Sequence, residues 1–346
     1  MFQPLVFVRR SATAELPGMQ WPDAMKSGIG LNEEKRMKKT TIGGQALLEG
    51  VLMMGPENIA IAVRKPDGEI ILDKKPLPGK SLLTKIPVLR GAFLLIRQMI
   101  IGIKALMYSA EFVELEDGEE VKPSKVDAFI ERLFGDKLKD AVVYFSLIVA
   151  LAFSIGVFVL LPNIIAGFFG IDKETSGGVF LYNILEGFIR ILLFFGYIYL
   201  ASMMKDIKRV WQYHGAEHKT IHCYENDDEL TVDNVRKYST KHPRCGTSFM
   251  FLVLVVSIVV FSFLGLHHWI INLLLRIIFI PLVAGISYEI LKFAGRHSDW
   301  PVMKIVNAPG MLFQLFTTKE PDDSQMEVAI EAFKNVLVKD RNADNW

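Results

Sequence analysis

His214-Gly215-Ala216-Glu217-His218 sets two imidazoles four residues apart, with a carboxylate beside the second. On a helix this spacing brings both rings to one face, near enough to share a zinc ion. Glu217 would then stand where a carboxylate can take a proton from a water activated by the ion. The order inverts that of the familiar zinc-protease motif. His222 continues the face one turn later, too distant from His214 to share one ion easily. A third ligand has to come from elsewhere, and "KHPRCG" offers His242 and Cys245. Imidazole and thiolate together suit zinc, and three protein ligands leave a position for water. The candidate ligands of a divalent metal, zinc by its donor set, are therefore His214, His218, His222, His242 and Cys245. Glu217 is the candidate catalytic base. The plainer reading is a polar strip at a membrane surface, with cysteine acting as a small hydrophobe.

Two further sets of residues could carry chemistry. In "TIGGQALLEGVLMMGP", Thr41 to Pro56, Gly43-Gly44 opens a tight turn. The segment lacks the Gly-Lys-Ser/Thr ending of a phosphate loop. Gln45 and Glu49 lie one helical turn apart and could face a site, although a loop packed through its glycines is the simpler expectation. Inside apolar segments, Glu186 and Arg190 are four apart and most simply pair with each other. Glu289 is expected to find Arg276 or a residue of another helix.

The elements that must position these residues are mostly apolar. The chain has 346 residues, of which 51% are hydrophobic and 22% charged, with a mean hydropathy of +0.30. Its formal charge of +1 argues against a nucleic-acid partner, which would need a basic patch. With two cysteines there is no disulfide framework to expect. Four runs, 140–162, 179–204, 248–266 and 268–293, are long and apolar enough to cross a bilayer, which takes ~20 residues. Lysine and arginine near their ends set the orientation. Lys137, Lys139, Lys205, Lys208, Arg209, Lys241, Arg244, Lys292 and Arg296 all fall on one side, whereas Lys173 is the only base in the opposite loops. Both termini and the 205–247 segment with its His/Cys motifs are thus expected at the cytoplasmic face of a cell membrane.

Residues 1–36 resemble no targeting signal and read as a disordered tail, with Met37 a possible natural start. The 37–80 stretch holds the glycine-rich segment and two strands within 59–75, turned at Pro66-Asp67-Gly68. Across 86–112 the bases Arg90, Arg97 and Lys104 recur every seven residues opposite a wide apolar face. That pattern suits an amphipathic helix in the membrane surface or a core helix with a charged side; three cations disfavour a fifth span. Val113 to Lys125 is an acidic linker. In 294–346 a short apolar helix precedes a helix at 324–339, opened by a Ser324/Glu327 capping box and burying Met326, Ile330, Phe333 and Leu337. The fold class is predominantly α: a polytopic membrane protein with about four spans, an interfacial helix and a small cytoplasmic β-hairpin.

"GGQALLEGVLMMGP", "YHGAEHKTIHCYE", "HPRCGTSF" and "APGMLFQLFTTKEP" together resemble the bacterial YqhQ-like family of multi-pass membrane proteins. The resemblance runs from about Thr40 to the C-terminal helix. It implies membrane residence and a folded segment holding both motif blocks. The family is a domain of unknown function commonly labelled a predicted metal-dependent enzyme. Two functions compete: metal-assisted hydrolysis near the membrane surface, or a non-catalytic scaffold for other integral membrane proteins, such as biogenesis machinery. The bilayer is a partner in either case.

Overall fold

The structure is a computed structural model that describes residues 39–79, 82–112, 138–265, 268–297, 300–338 and 344. The expected tail at 1–36 and the acidic linker lie outside them. Four antiparallel strands come first: β1 (Gly43–Leu47), β2 (Gly50–Met54), β3 (Asn58–Arg64) and β4 (Ile70–Pro76), in the spatial order of the chain. The expected β3–β4 hairpin is present, with Val63 opposite Ile71 in register.

The glycine-rich segment is a correction. Gly43 and Gly44 lie within β1, and the turn falls instead at Leu48-Glu49, where Glu49 has φ 48. A glutamate rarely adopts that conformation unaided. Here Arg209 binds both carboxylate oxygens of Glu49, and the Tyr213 hydroxyl donates to it at 3.2 Å. Gln45 and Glu49 therefore face different elements and form no site together.

The helices are α1 (Leu89–Ala110), α2 (Leu138–Ile155, prolonged by a π-helical Gly156–Leu160 and by Leu161–Gly167), α3 (Ser176–Ala201), α4 (Lys205–Glu225), α5 (Val232–Arg236), α6 (Gly246–Ser262), α7 (Trp269–Arg296), α8 (Pro301–Thr317) and α9 (Asp323–Lys334). Period-two alternation gives the sheet two apolar faces. Val51, Met53, Ala60 and Ala62 pack on Tyr213 and Ala216 of α4 and on Met326, Ile330 and Phe333 of α9. Leu47, Leu52, Ile59, Ile61 and Val63 pack on Ala105, Ile101 and Tyr108 of α1. The capping box of α9 is made by Asp322 and Gln325 rather than Ser324 and Glu327, so the helix begins earlier than expected.

Among the described residues, four helices are long and apolar enough to cross a membrane: Leu89–Ala110, Phe145–Gly167, Ser176–Ala201 and Ile270–Arg296. The expected third span differs, because α6 has 17 residues and ends just before Gly265, which turns the chain with φ 72. Conversely α1 meets the length and hydropathy of a span despite its three bases. Between the long helices, buried Glu186 pairs with Arg190 as expected and also takes a two-pronged contact from Arg276. Arg190 Nε additionally reaches the Phe158 carbonyl at 2.8 Å, within the π-helical stretch of α2. Glu289 pairs with Arg90 of α1.

Candidate metal centre

Helix α4 carries the whole "YHGAEHKTIHCYE" stretch, buried from Tyr213 to Ile221. One face, Tyr213 and Ala216, is held by the sheet; the other turns His214, His218 and His222 towards the loop that precedes α6. Cys245 is the N-cap of α6, its sulfur accepting from the Thr247 N–H at 3.4 Å. A thiolate is favoured at a helix N-terminus by the exposed N–H groups there. The two motif blocks therefore meet because one ends a polar helix and the other starts an apolar one.

The candidate ligands divide into two groups of three. His214, His218 and Cys245 bring one ligand atom each to within 4.8 Å of the others, and so do His222, Glu225 and His242. His214 and His218 have ring centroids 4.4 Å apart. His214 Nδ1 lies 2.7 Å from the Thr317 carbonyl, and His218 Nδ1 lies 2.6 Å from the Thr240 carbonyl. A carbonyl oxygen can only accept, so both Nδ1 atoms carry hydrogen. Both Nε2 atoms are thereby left for the centre of the group, and His214 Nε2 sits 3.2 Å from Cys245 Sγ. Orientation of ligating histidines through the other ring nitrogen is the usual support of a metal site.

Electrostatics favour the same species. Burial opposes ionisation of Cys245, yet the His218 and His214 imidazoles hold its thiol well below the usual range. Burial likewise opposes charge on His214, but the Cys245 thiolate lifts its pKa to about 9. Each partner thus favours the charged form of the other, thiolate beside imidazolium, and a divalent cation would take the place of the Nε2 proton.

Glu217 stands beside these ligands without belonging to their group. Its Oε1 accepts from the Gly44 N–H at 2.9 Å, whereas the buried Oε2 bonds nothing. Burial pushes its pKa up. A cleft of about 90 Å³ opens here, lined among others by Gly43, Gly44, Glu217, His218, Arg244 and Cys245. That volume holds several waters or a small polar group. Gly44 is required by the approach of β1: a Cβ there would lie 2.6 Å from the Leu52 carbonyl and 2.9 Å from Glu217 Cδ. Gly215 serves likewise, since a Cβ would collide with the Lys319 carbonyl just beyond the segment that orients His214.

The second group is closed by hydrogen bonds. Glu225 accepts from the Thr40 N–H at 2.8 Å, from Arg244, and from His242 Nε2 at 3.4 Å. His242 Nδ1 accepts from the Arg244 N–H at 3.3 Å, which assigns the ring hydrogen to Nε2 and aims it at Glu225. His222 Nε2 donates to the Lys241 carbonyl at 2.8 Å. Burial, then Arg244, depress the His242 pKa well below the usual value, so the ring is neutral. His222 and His242 thus differ from His214 and His218 in where their ring hydrogens point, although His242 lines the same cleft.

Sequence reasoning missed Glu225, although it ends the quoted stretch, and Gln314 of α8. The Gln314 amide accepts from the His242 N–H and donates to its carbonyl, each at 2.8 Å. The Thr240 and Thr317 carbonyls carry no signal in residue type.

A family of proteins of unknown function, DUF1385, matches residues 86–339. The chain belongs to this family. It is 37% identical over 308 residues to the uncharacterized protein YqhQ of Bacillus subtilis (strain 168), covering 85% of this chain and 92% of that one. No solved structure matches the chain. The family resemblance seen in the four motif blocks holds, and it carries no assigned reaction with it.

Proposed function

We propose that the chain is a membrane-bound, metal-dependent hydrolase whose zinc-type ion is held by His214, His218 and Cys245. The observation that carries this reading is the donor orientation: two imidazoles pinned at Nδ1, both Nε2 atoms and a thiolate converging, and an unpartnered carboxylate oxygen in the same cleft. Two nitrogens and a sulfur suit zinc over magnesium or calcium, and three protein ligands are the pattern of catalytic rather than structural zinc. The ion would supply Lewis acidity and a more acidic water. Glu217, anchored through Oε1 by Gly44, takes a proton on Oε2 from water in the cleft and passes it to the leaving group. Its raised pKa suits a group that must both accept and release a proton. The bases after α3, before α6 and at the end of α7 support a cytoplasmic-face site with both termini inside.

The test is metal analysis of the purified full chain, followed by cobalt(II) substitution. Near-stoichiometric metal is expected, lost in His218→Ala. Thiolate-to-cobalt charge-transfer absorption should vanish in Cys245→Ser and persist in Glu217→Gln, with Glu217→Gln losing cellular function. A protein that folds normally without metal and ignores chelators would overturn the metal centre. Metal that persists in a fully functional Glu217→Gln would mean a structural zinc, as the competing scaffold reading requires.

A further inference from the structure

Helix α1 has three faces rather than two. At about 100° per residue, its buried small residues, its exposed bulky residues and its cations centre roughly 120° apart. Gly91, Gly102, Ala105 and Ser109 are the buried ones. A Cβ on Gly91 would lie 2.6 Å from Tyr288 Cβ of α7, and one on Gly102 would strike the Gln45 amide of β1. Ile96, Met99, Ile100, Ile103 and Met107 are all between 42 and 57% exposed. A water-soluble domain buries its bulky residues; small residues inside and bulky ones outside are the arrangement of a helix packed against protein while facing lipid.

We propose that α1 lies flat in the headgroup region of the bilayer, its Ile96–Met107 face among the acyl chains and the sheet carried on its protein side. The small-inside, bulky-outside order and the exposed Lys104 at its edge commit the face to a lipid surface. Arg90 binds Glu289 and Arg97 binds the Pro78 carbonyl at 2.7 Å, while Lys104 is exposed along the same edge. Cations beside an apolar face meet anionic headgroups in a helix lying in the interface. In a helix crossing the bilayer, Arg97 and Lys104 would sit roughly 12 and 22 Å from its start, deep in hydrocarbon. The contacts agree: the N-terminal end touches the basic end of α7 at Gly285 and Glu289, and the C-terminal half touches the sheet. One end is thus tied to the end of a long helix and the other to a polar-edged sheet. The sheet's opposite face carries α4, so this helix would hold the cleft at a set height over the membrane, whether or not a metal is bound.

Spin labels at Ile96→Cys, Ile100→Cys, Ile103→Cys and Met107→Cys of the full chain in phosphatidylcholine/phosphatidylglycerol nanodiscs test this, read by oxygen and water-soluble nickel accessibility. Cys223 and Cys245 are buried, and label uptake by the unsubstituted chain gives their background. All four labels should report lipid-like oxygen access at one shallow depth, with Lys104→Cys open to nickel. Depth that passes through the bilayer centre from Ile96 to Met107 would make α1 a span and overturn the proposal. So would nickel access at all four positions, or exclusion of both reagents by a covering protein. Four exposed positions are independent, so loss of one variant leaves the profile readable.

Discussion

Two neighbouring groups on one helix contain similar residues and differ in what their hydrogen atoms do. His214, His218 and Cys245 converge with the Nδ1 hydrogens turned away to carbonyls, so the interior of the group holds two Nε2 atoms and a thiolate. His222, Glu225 and His242 are as close together, yet His242 turns its hydrogen to Glu225, and Glu225 is filled further by Arg244 and the Thr40 N–H. In the second group the carboxylate is matched by the Arg244 guanidinium, whereas in the first the thiolate is matched only by the imidazoles themselves. Proximity of histidines and acids is thus a poor guide to metal; the direction of the ring hydrogens decides.

Ligand removal tests the contrast most strongly. His214→Ala should abolish stoichiometric metal, whereas His222→Ala should leave it within a few-fold of the parent by competition with a chromophoric chelator. Equal loss in both would merge the groups into one centre and end the distinction. Next comes stability. Glu225 and Arg244 are buried with side-chain exposures of 2% and 6%, and removing one partner of a buried pair costs about 3–5 kcal/mol. Glu225→Ala should lower the unfolding midpoint in detergent markedly. Glu217→Gln, which removes an oxygen that bonds nothing, should cost far less; a reversed order would make Glu217 the structural carboxylate.

Smaller effects probe the supports. Gly215→Ala pushes away the Lys319 carbonyl, and with it the neighbouring Thr317 carbonyl that orients His214. Losing such an outer partner lowers metal affinity about 10–100-fold, measurable by the same chelator competition with the unfolding midpoint as control. Gln314→Ala should be the mildest, costing about 1–2 kcal/mol for the unmatched His242 backbone groups while sparing metal affinity.

The legible parts of the molecule were those governed by local period and by composition. The long apolar helices, the β3–β4 turn with its Pro-Asp-Gly, and the shared face of His214 and His218 follow from spacing alone. The β1–β2 hairpin was hidden because Leu48-Glu49 lacks a turn residue, and Arg209 and Tyr213, far along the chain, hold Glu49 at positive φ. The early start of α9 was missed because the true cap, Asp322, precedes a plausible one.

By itself, the sequence determined that the His and Cys blocks share one polar segment between apolar helices and that their donors suit zinc. Only the tertiary structure decided which donors meet. Helix period brings His214, His218 and His222 to one side equally, so it cannot rank them. The ranking comes from the Thr317, Thr240 and Lys241 carbonyls, each of which fixes one ring hydrogen, and backbone carbonyls are the same atom in every residue type.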